Sequence, residues 1–331
     1  MSSGILLINL GTPKSTKWLD VARYLHEFLS DPRVIDAPWL IRKILVSIIV
    51  LFRSAKSAQA YKKIWLAQGS PLMVNSQALA TQLQENLGKD YIVDLAMRYG
   101  KPSIQSTLAN LLKQRLATLI VIPLFPQYAS ASTGSAIAKF LQQISHYQVI
   151  PELKIINNWH DHPRYIAALA TSIKRQYAAD EHLIFSFHGL PVRQNILACT
   201  NSCDKNCQCY KAQCIKTACL VAKKLGLHEN SWSLAFQSRL GKIEWLKPYL
   251  DQHLLELYTQ GQRKLCVISP GFVADCLETS EELGIQLKNL WLKIGGLSFK
   301  LLPALNAEYA DILPLIINEE VYARQLIYIH E

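Results

Sequence analysis

Three groups of residues in this chain have types and spacings that suit chemistry. The first is His188, in the run Phe185-Ser186-Phe187-His188-Gly189-Leu190-Pro191. An apolar strand delivers the imidazole to its end, and Gly and Pro follow at once. That turn leaves the ring at a strand edge, where it can take a proton or hold a metal ion. The alternative is a histidine satisfied inside the core. The second group opens a helix after an apolar run and a glycine: Asp275, Cys276 and Glu278. Capping of a helix N-terminus accounts for Asp275 and Glu281. Glu278 is the better functional candidate if it faces His188. The third group is cysteine-rich. Six of the eight cysteines crowd into residues 199–219, whereas Cys266 and Cys276 lie apart.

Crowded thiols mean different things in different compartments. The opening residues show no signal-peptide pattern, so a reducing, cytoplasmic setting is expected, and a metal site before disulfides. The spacings within the segment fit no standard zinc finger. The chain has 331 residues, half of them hydrophobic, and a formal net charge of +10. A basic balance favours nucleic acid, anionic lipid or an acidic small molecule. The charges are scattered and no nucleic-acid-binding signature is present, so no nucleic acid partner is expected. The run at 44–52 is about half the length a spanning helix needs, and basic residues bracket it.

The elements that must position these groups follow from periodicity. Apolar runs at 4–11, 91–99, 118–125, 153–158, 183–189, 233–238, 264–271 and 299–305 read as buried strands. Helical patterns near 18–29, 76–87, 102–115, 134–145, 163–178, 209–225, 243–257 and 277–291 lie between them. This alternation predicts an α/β protein: two Rossmann-like domains with parallel sheets flanked by helices, and an active cleft between them. Residues 1–158 form the first domain and 159–305 the second, with 306–331 packing back on the first. GxGxxG is absent, so no nucleotide cofactor is expected. Polar residues gather after the strands, where such sheets bind ligands: Arg98 and Tyr99, His188, then Gln237, Ser238 and Arg239.

Six blocks resemble the ferrochelatases in order and spacing: GILLINLGTP, MRYGKPSI, PLFPQYASASTGS, FSFHGLP, FQSRLGKIEWLKP and PGFVADCLETSEEL. The match runs from about Gly4 to Asn306. The resemblance implies a chelatase-like fold and insertion of ferrous iron, as substrate, into a porphyrin, taken as protoporphyrin IX in the last step of haem biosynthesis. It places His188 as proton acceptor or iron ligand and Glu278 as the carboxylate paired with it. Arg98 and Tyr99 fall near the porphyrin, Trp245 lines its pocket, and Ser238 lies in the adjoining loop. Cys276 departs from the histidine that many members carry there, which puts a second catalytic histidine in doubt. Other readings are a chelatase for another metal or tetrapyrrole (coproporphyrin, cobalt), and a non-catalytic haem or iron–sulfur sensor.

The same resemblance bears on the thiols and on residues 38–52. A subset of bacterial members carries an internal iron–sulfur cluster, with a block like CYKAQC at 209–214. Four thiolates suit a [2Fe–2S] cluster, and the set implied is Cys199, Cys203, Cys209 and Cys214, with Cys207 as competitor. Cys219 falls on an apolar helical face and is expected in the core. Zinc and no metal are the other options. Residues 38–52 correspond to a hydrophobic lip over the porphyrin. Such a lip suits peripheral contact with the inner membrane face. For its inner residues, an ordinary buried helix is expected.

Overall fold

The computed structural model describes residues 2–196, 208–241 and 243–319. The chain divides into two compact units, Met1–Phe125 with Ala129–Asn158 and Asn306–Glu331, and Pro126–Tyr128 with Trp159–Leu305.

The first unit is built on four parallel strands: β1 (Ser3–Gly11), β2 (Tyr91–Tyr99), β3 (Thr118–Pro123) and β4 (Glu152–Ile155), in the order β2-β1-β3-β4. Ile5, Leu6, Leu7 and Ile8 are all fully buried. Unbroken burial of successive residues means that both faces of the sheet are covered. Helices α1 (Trp18–Leu29), α2 (Trp39–Ile64), α3 (Pro71–Leu87), α4 (Ile104–Leu112) and α5 (Ser135–Ile144) belong to this unit. Leu108 and Leu111 of α4 and Phe140 and Ile144 of α5 pack with Leu6, Ile8 and Val121 of the sheet. Ser70 caps α3 by accepting from the Met73 N–H, and Pro71 follows at the first helical position. Residues 306–311 lie against α3, where the Asn86 side chain donates to the Ala310 carbonyl at 3.0 Å. Gly11 is required at the end of β1: its φ is +120°, and a Cβ there would lie 1.9 Å from the Tyr99 carbonyl oxygen.

The second unit repeats the plan with β5 (His182–His188), β6 (Trp232–Gln237), β7 (Lys264–Ile268) and β8 (Ser298–Leu301), in the order β6-β5-β7-β8, again all parallel. Its helices are α6 (Pro163–Lys174), α7 (Val192–Ile196), α8 (Tyr210–Leu225), α9 (Leu250–Thr259) and α10 (Lys288–Lys293). A π-helix, Glu278–Leu287, runs directly into α10. Leu254 and Leu257 of α9, Leu283 and Leu287 of the π-helix, and Trp291 pack against Ile184, Ala235 and Val267 of the sheet. The two parallel four-stranded sheets flanked by helices are those expected from the alternation of runs.

Three local expectations fail. The helix expected near 243–257 starts only at Leu250, because Pro248 disfavours helical backbone at the residue before it. Cys219 is exposed rather than in the core. The buried face of α8 runs through Gln213, Cys214, Thr217, Ala218 and Val221, which leaves position 219 on the solvent side. Within the 38–52 stretch the expected burial holds only for Val46. Val46 is fully covered, but Ile44, Ile48, Leu51 and Phe52 are 57, 50, 63 and 76% exposed. No described helix is long and apolar enough to cross a membrane.

Candidate functional site

The strand order of the second unit decides where its ligand site belongs. Chain direction away from β5 reverses between β6 and β7, so the switch point lies at β5 and β7. Ligands in open α/β sheets bind outside the carboxyl ends of the strands at that point. His188 is the last residue of β5, and the segment leaving β7 leads to Glu278 at the start of the π-helix.

His188 is held by its surroundings. Its Nδ1 lies 2.7 Å from the Gly189 carbonyl oxygen, which can only accept. Nδ1 therefore carries the proton in the neutral ring, and Nε2 keeps its lone pair. The His188 carbonyl accepts from the Tyr210 hydroxyl at 2.9 Å, and the next N–H, of Gly189, donates to the Gln237 carbonyl at 2.8 Å. Phe272 lies beside the imidazole, with ring centroids 6.5 Å apart. A Cβ on Gly189 would meet the Gln237 carbonyl at 2.8 Å and the Trp245 ring at 3.2 Å. Trp245 is thus packed against the peptide that follows the histidine. Its indole N–H donates to the Leu240 carbonyl at 2.9 Å.

Glu278 is tied to the same cluster through Gln237, whose side-chain amide donates to the Glu278 carbonyl at 3.4 Å and whose Oε1 accepts from Ser186 at 2.6 Å. Glu282 joins it. Ser238 gives this carboxylate both its backbone N–H, at 2.8 Å, and its hydroxyl, at 2.6 Å. Ser238 adopts φ +66°, sparsely populated for a residue with a side chain, and that geometry turns both donors onto one carboxylate. Burial pushes the Glu282 carboxyl above its ordinary range; the Ser238 donors and nearby His188 oppose the rise, and Glu278 adds to it. A small pocket of about 190 Å³ adjoins Glu282, lined also by Phe236, Ser238, Arg239 and Asp251. Sequence reasoning overlooked Glu282. The available signal was its spacing of four from Glu278, which sets the two on one helical face.

Arg98 and Tyr99 belong to the first unit and form a cluster of their own around Asp31. The Asp31 Oδ2 accepts from Arg98 at 2.5 Å, from Tyr99 at 2.9 Å and from Ser135 at 2.5 Å, while Oδ1 accepts from the Arg33 N–H at 2.8 Å. Burial alone raises the Asp31 carboxyl, but hydrogen bonds from Ser135, Arg33 and Tyr99 and the charge of Arg98 together hold it below the ordinary carboxylate value. Tyr99 is fully buried, and burial pushes its phenol well above the usual range. Arg98 lies 4.3 Å over the Tyr99 ring.

Of the proposed cluster thiols, Cys199 and Cys203, with the competitor Cys207, lie outside the described residues. Cys209 and Cys214 are fully buried at the start of α8. Cys209 caps that helix, its Sγ accepting from the Ala212 N–H at 3.4 Å. Burial raises the Cys214 thiol well above its usual value, with Cys209 close enough to add to the rise. Cys276 is buried and likewise raised, which suits a neutral thiol beside Glu278 rather than a base. Among the described residues, no group of three or more His, Cys, Asp or Glu is arranged to hold a metal ion.

The ferrochelatase family profile matches residues 2–319. A ferrochelatase of Legionella pneumophila strain Paris is 46% identical over 97% of this chain and 100% of its own length. One from Coxiella burnetii strain CbuK_Q154 is 43% identical over 92% of this chain and 89% of its own length. Among solved structures, SirB from Bacillus subtilis with Fe3+ superposes with a TM-score of 0.59 at 11% identity, covering 98% of each chain. The sirohydrochlorin chelatase SirB of Bacillus subtilis subspecies spizizenii, in complex with cobalt, gives 0.56 at 10% identity over 97% of this chain and 95% of that one. At such identities the likeness shows a shared fold.

Proposed function

Because the chain belongs to the ferrochelatase family and inserts ferrous iron into a porphyrin to form haem, we propose that His188 and Glu278 carry that insertion. The observation that supports His188 most is its hydrogen bond to the Gly189 carbonyl, which leaves the Nε2 lone pair to act. The reaction exchanges one Fe2+ for the two pyrrole N–H protons. Nε2 takes a proton, Glu278 presents the iron, and an imidazole and a carboxylate are both suitable ferrous ligands. Glu282, made more basic by burial, passes protons outward through the pocket beside it. Trp245 and Phe272 press on the macrocycle, so that binding favours the bent ring in which a nitrogen lone pair tips toward the metal.

In the first unit, Arg98 keeps 15% of its side chain exposed for a substrate group, with the Tyr99 ring stacked against its guanidinium. The porphyrin proposed is protoporphyrin IX. The exposed apolar side of α2 suits a macrocycle with two propionates better than coproporphyrin with four. The same side, from Trp39 to Phe52, is proposed to rest on the inner membrane face from the cytoplasm, with Arg42, Lys43 and Arg53 toward anionic headgroups. Vesicle flotation with and without anionic lipid tests this, and loss of binding in Leu51→Glu/Phe52→Glu is the expected result.

Four thiolates, from Cys199, Cys203, Cys209 and Cys214, are proposed to hold a [2Fe–2S] cluster, whose chemistry would be one-electron redox. The donor type fits, and two of the four stand together at the start of α8. Visible bands that bleach with dithionite in protein purified without oxygen support the cluster, and a colourless or zinc-bearing protein overturns it. Insertion itself is tested by loss of free-porphyrin fluorescence on anaerobic addition of ferrous iron, compared between wild type and Glu278→Gln. An unchanged rate in Glu278→Gln would remove that residue from the reaction.

A further inference from the structure

We propose that Tyr210 is a positioning residue for His188, fixing the imidazole through the peptide that follows it, and that the first turn of helix α8, with Cys209 and Cys214, is thereby linked to the site of metal insertion. The proposal rests on the reading of His188 given above.

The peptide unit between His188 and Gly189 is held at both ends. Its carbonyl accepts from the Tyr210 hydroxyl at 2.9 Å, and its N–H donates to the Gln237 carbonyl at 2.8 Å. A peptide plane fixed at both poles has little freedom to rotate. The plane fixes the Gly189 nitrogen and Cα, the start of the unit that carries the next carbonyl, of Gly189, and that oxygen is the partner of the ring Nδ1 at 2.7 Å. The chain of contacts therefore runs from the phenol to the peptide, from the peptide to the Gly189 carbonyl, and from that carbonyl to the imidazole. Its effect is to keep the proton on Nδ1 and the lone pair on Nε2.

Tyr210 is the first residue of α8, and its placement depends on how that helix begins. Cys209, the preceding residue, caps the helix through the Ala212 N–H. The Lys211 N–H donates to the Asn195 side chain at 3.0 Å, which ties the same turn to α7. Cys214 lies one turn on along α8, its thiol near the Tyr210 phenol. A shift of that first turn moves the phenol, and the phenol's bond to the His188 carbonyl passes the shift to the histidine. Gln213 and Thr217, on the buried side of α8, accept from the Tyr128 N–H at 2.8 Å and from Gln127 at 3.0 Å, so the body of the helix stays anchored while its first turn is adjusted.

The test uses the full chain labelled with 15N-histidine. In wild type, the His188 ring, assigned by its loss in His188→Ala, should show the signature of the Nδ1–H tautomer. In Tyr210→Phe that signature should move toward a tautomer mixture, and kcat for ferrous-iron insertion should fall about three- to tenfold with the porphyrin KM within about twofold. Asn195→Ala, which loosens the first turn of α8 without touching Tyr210 or His188, should move the same signals in the same direction. Unchanged His188 signals and kcat in both variants would overturn the proposal while His188→Ala remains inactive. Insertion that survives in His188→Ala would remove the reading of His188 itself, and the role of Tyr210 with it.

Discussion

Ser238 directs two donors, its backbone N–H and its hydroxyl, onto the single carboxylate of Glu282. A residue with a side chain at φ +66° is held there by its surroundings, and the bidentate contact is what that backbone achieves. Hydrogen bonds to a charged acceptor are worth about 1.5–3 kcal/mol each. Ser238→Ala keeps one donor and loses the other. The Glu282 carboxyl should then rise further, followed by 13C NMR, and the insertion rate should drop roughly fivefold. A carboxyl that titrates as in wild type would show that the hydroxyl does not hold it.

Gly189 has no space for a side chain, since a Cβ would press on the Gln237 carbonyl and on the Trp245 ring. Gly189→Ala should cost about 1–3 kcal/mol in urea unfolding and displace Trp245, seen as a shift in its fluorescence. If both stay at wild-type values, the packing beside His188 is looser than described.

Much of this frame is legible in the amino-acid pattern. β2 and α1 coincide with the stretches at 91–99 and 18–29 because a mostly apolar run, interrupted only at Asp94 and Arg98, and a clear helical spacing leave little choice. The positions of His188 at the end of β5 and of Glu278 on the helical segment that follows β7 are legible from alternation plus the rule for parallel sheets. Other features depend on partners distant in sequence. Asp31 meets Arg98 across 67 residues, and no local pattern marks it. The π pitch after Leu277 is a backbone choice that an ordinary helical spacing does not reveal. The exposure of α2 escapes periodicity because an apolar helix reads alike whether a core or a lip receives it. Cys219 stands one residue past buried Ala218 and five past Cys214, which turns it out of the buried face of α8, and its apolar neighbours in sequence do not show that.

The Asp31 cluster carries a stability prediction with a definite sign. Its carboxyl is held below the unfolded value, so its contribution is present above that value and is lost as pH falls through the folded one. Asp31→Asn leaves Arg98 short of its counter-charge and should cost about 3 kcal/mol at pH 7. The gap between variant and wild type, from urea unfolding, should narrow as the pH approaches 3. A constant gap would mean that charge is not what Asp31 supplies.

A second pH effect comes from His182, whose Nε2 lies 2.9 Å from the Ser233 hydroxyl, with His253 on the other side of that hydroxyl at 2.8 Å and Glu256 beyond it. Burial, with the neighbouring His253, pushes the His182 ring down to about 4. Between its ordinary value of 6.5 and 4, the unfolded chain binds a proton that the folded chain refuses, so stability falls as pH falls through that window. The loss should be on the order of 2–3 kcal/mol. His182→Gln should flatten this part of the Tm–pH curve. An equally steep curve in the variant would assign the effect to other groups.

On the role proposed for His188, its Nε2 lone pair, left free by the hydrogen bond from Nδ1 to the Gly189 carbonyl, accepts a porphyrin proton. The most direct measurement is the anaerobic single-turnover rate of ferrous-iron insertion in His188→Ala, with porphyrin affinity determined on the same sample. The rate should fall by at least about a hundredfold while the porphyrin Kd stays within about threefold of wild type. A rate that remains within tenfold of wild type at unchanged affinity would contradict the assignment.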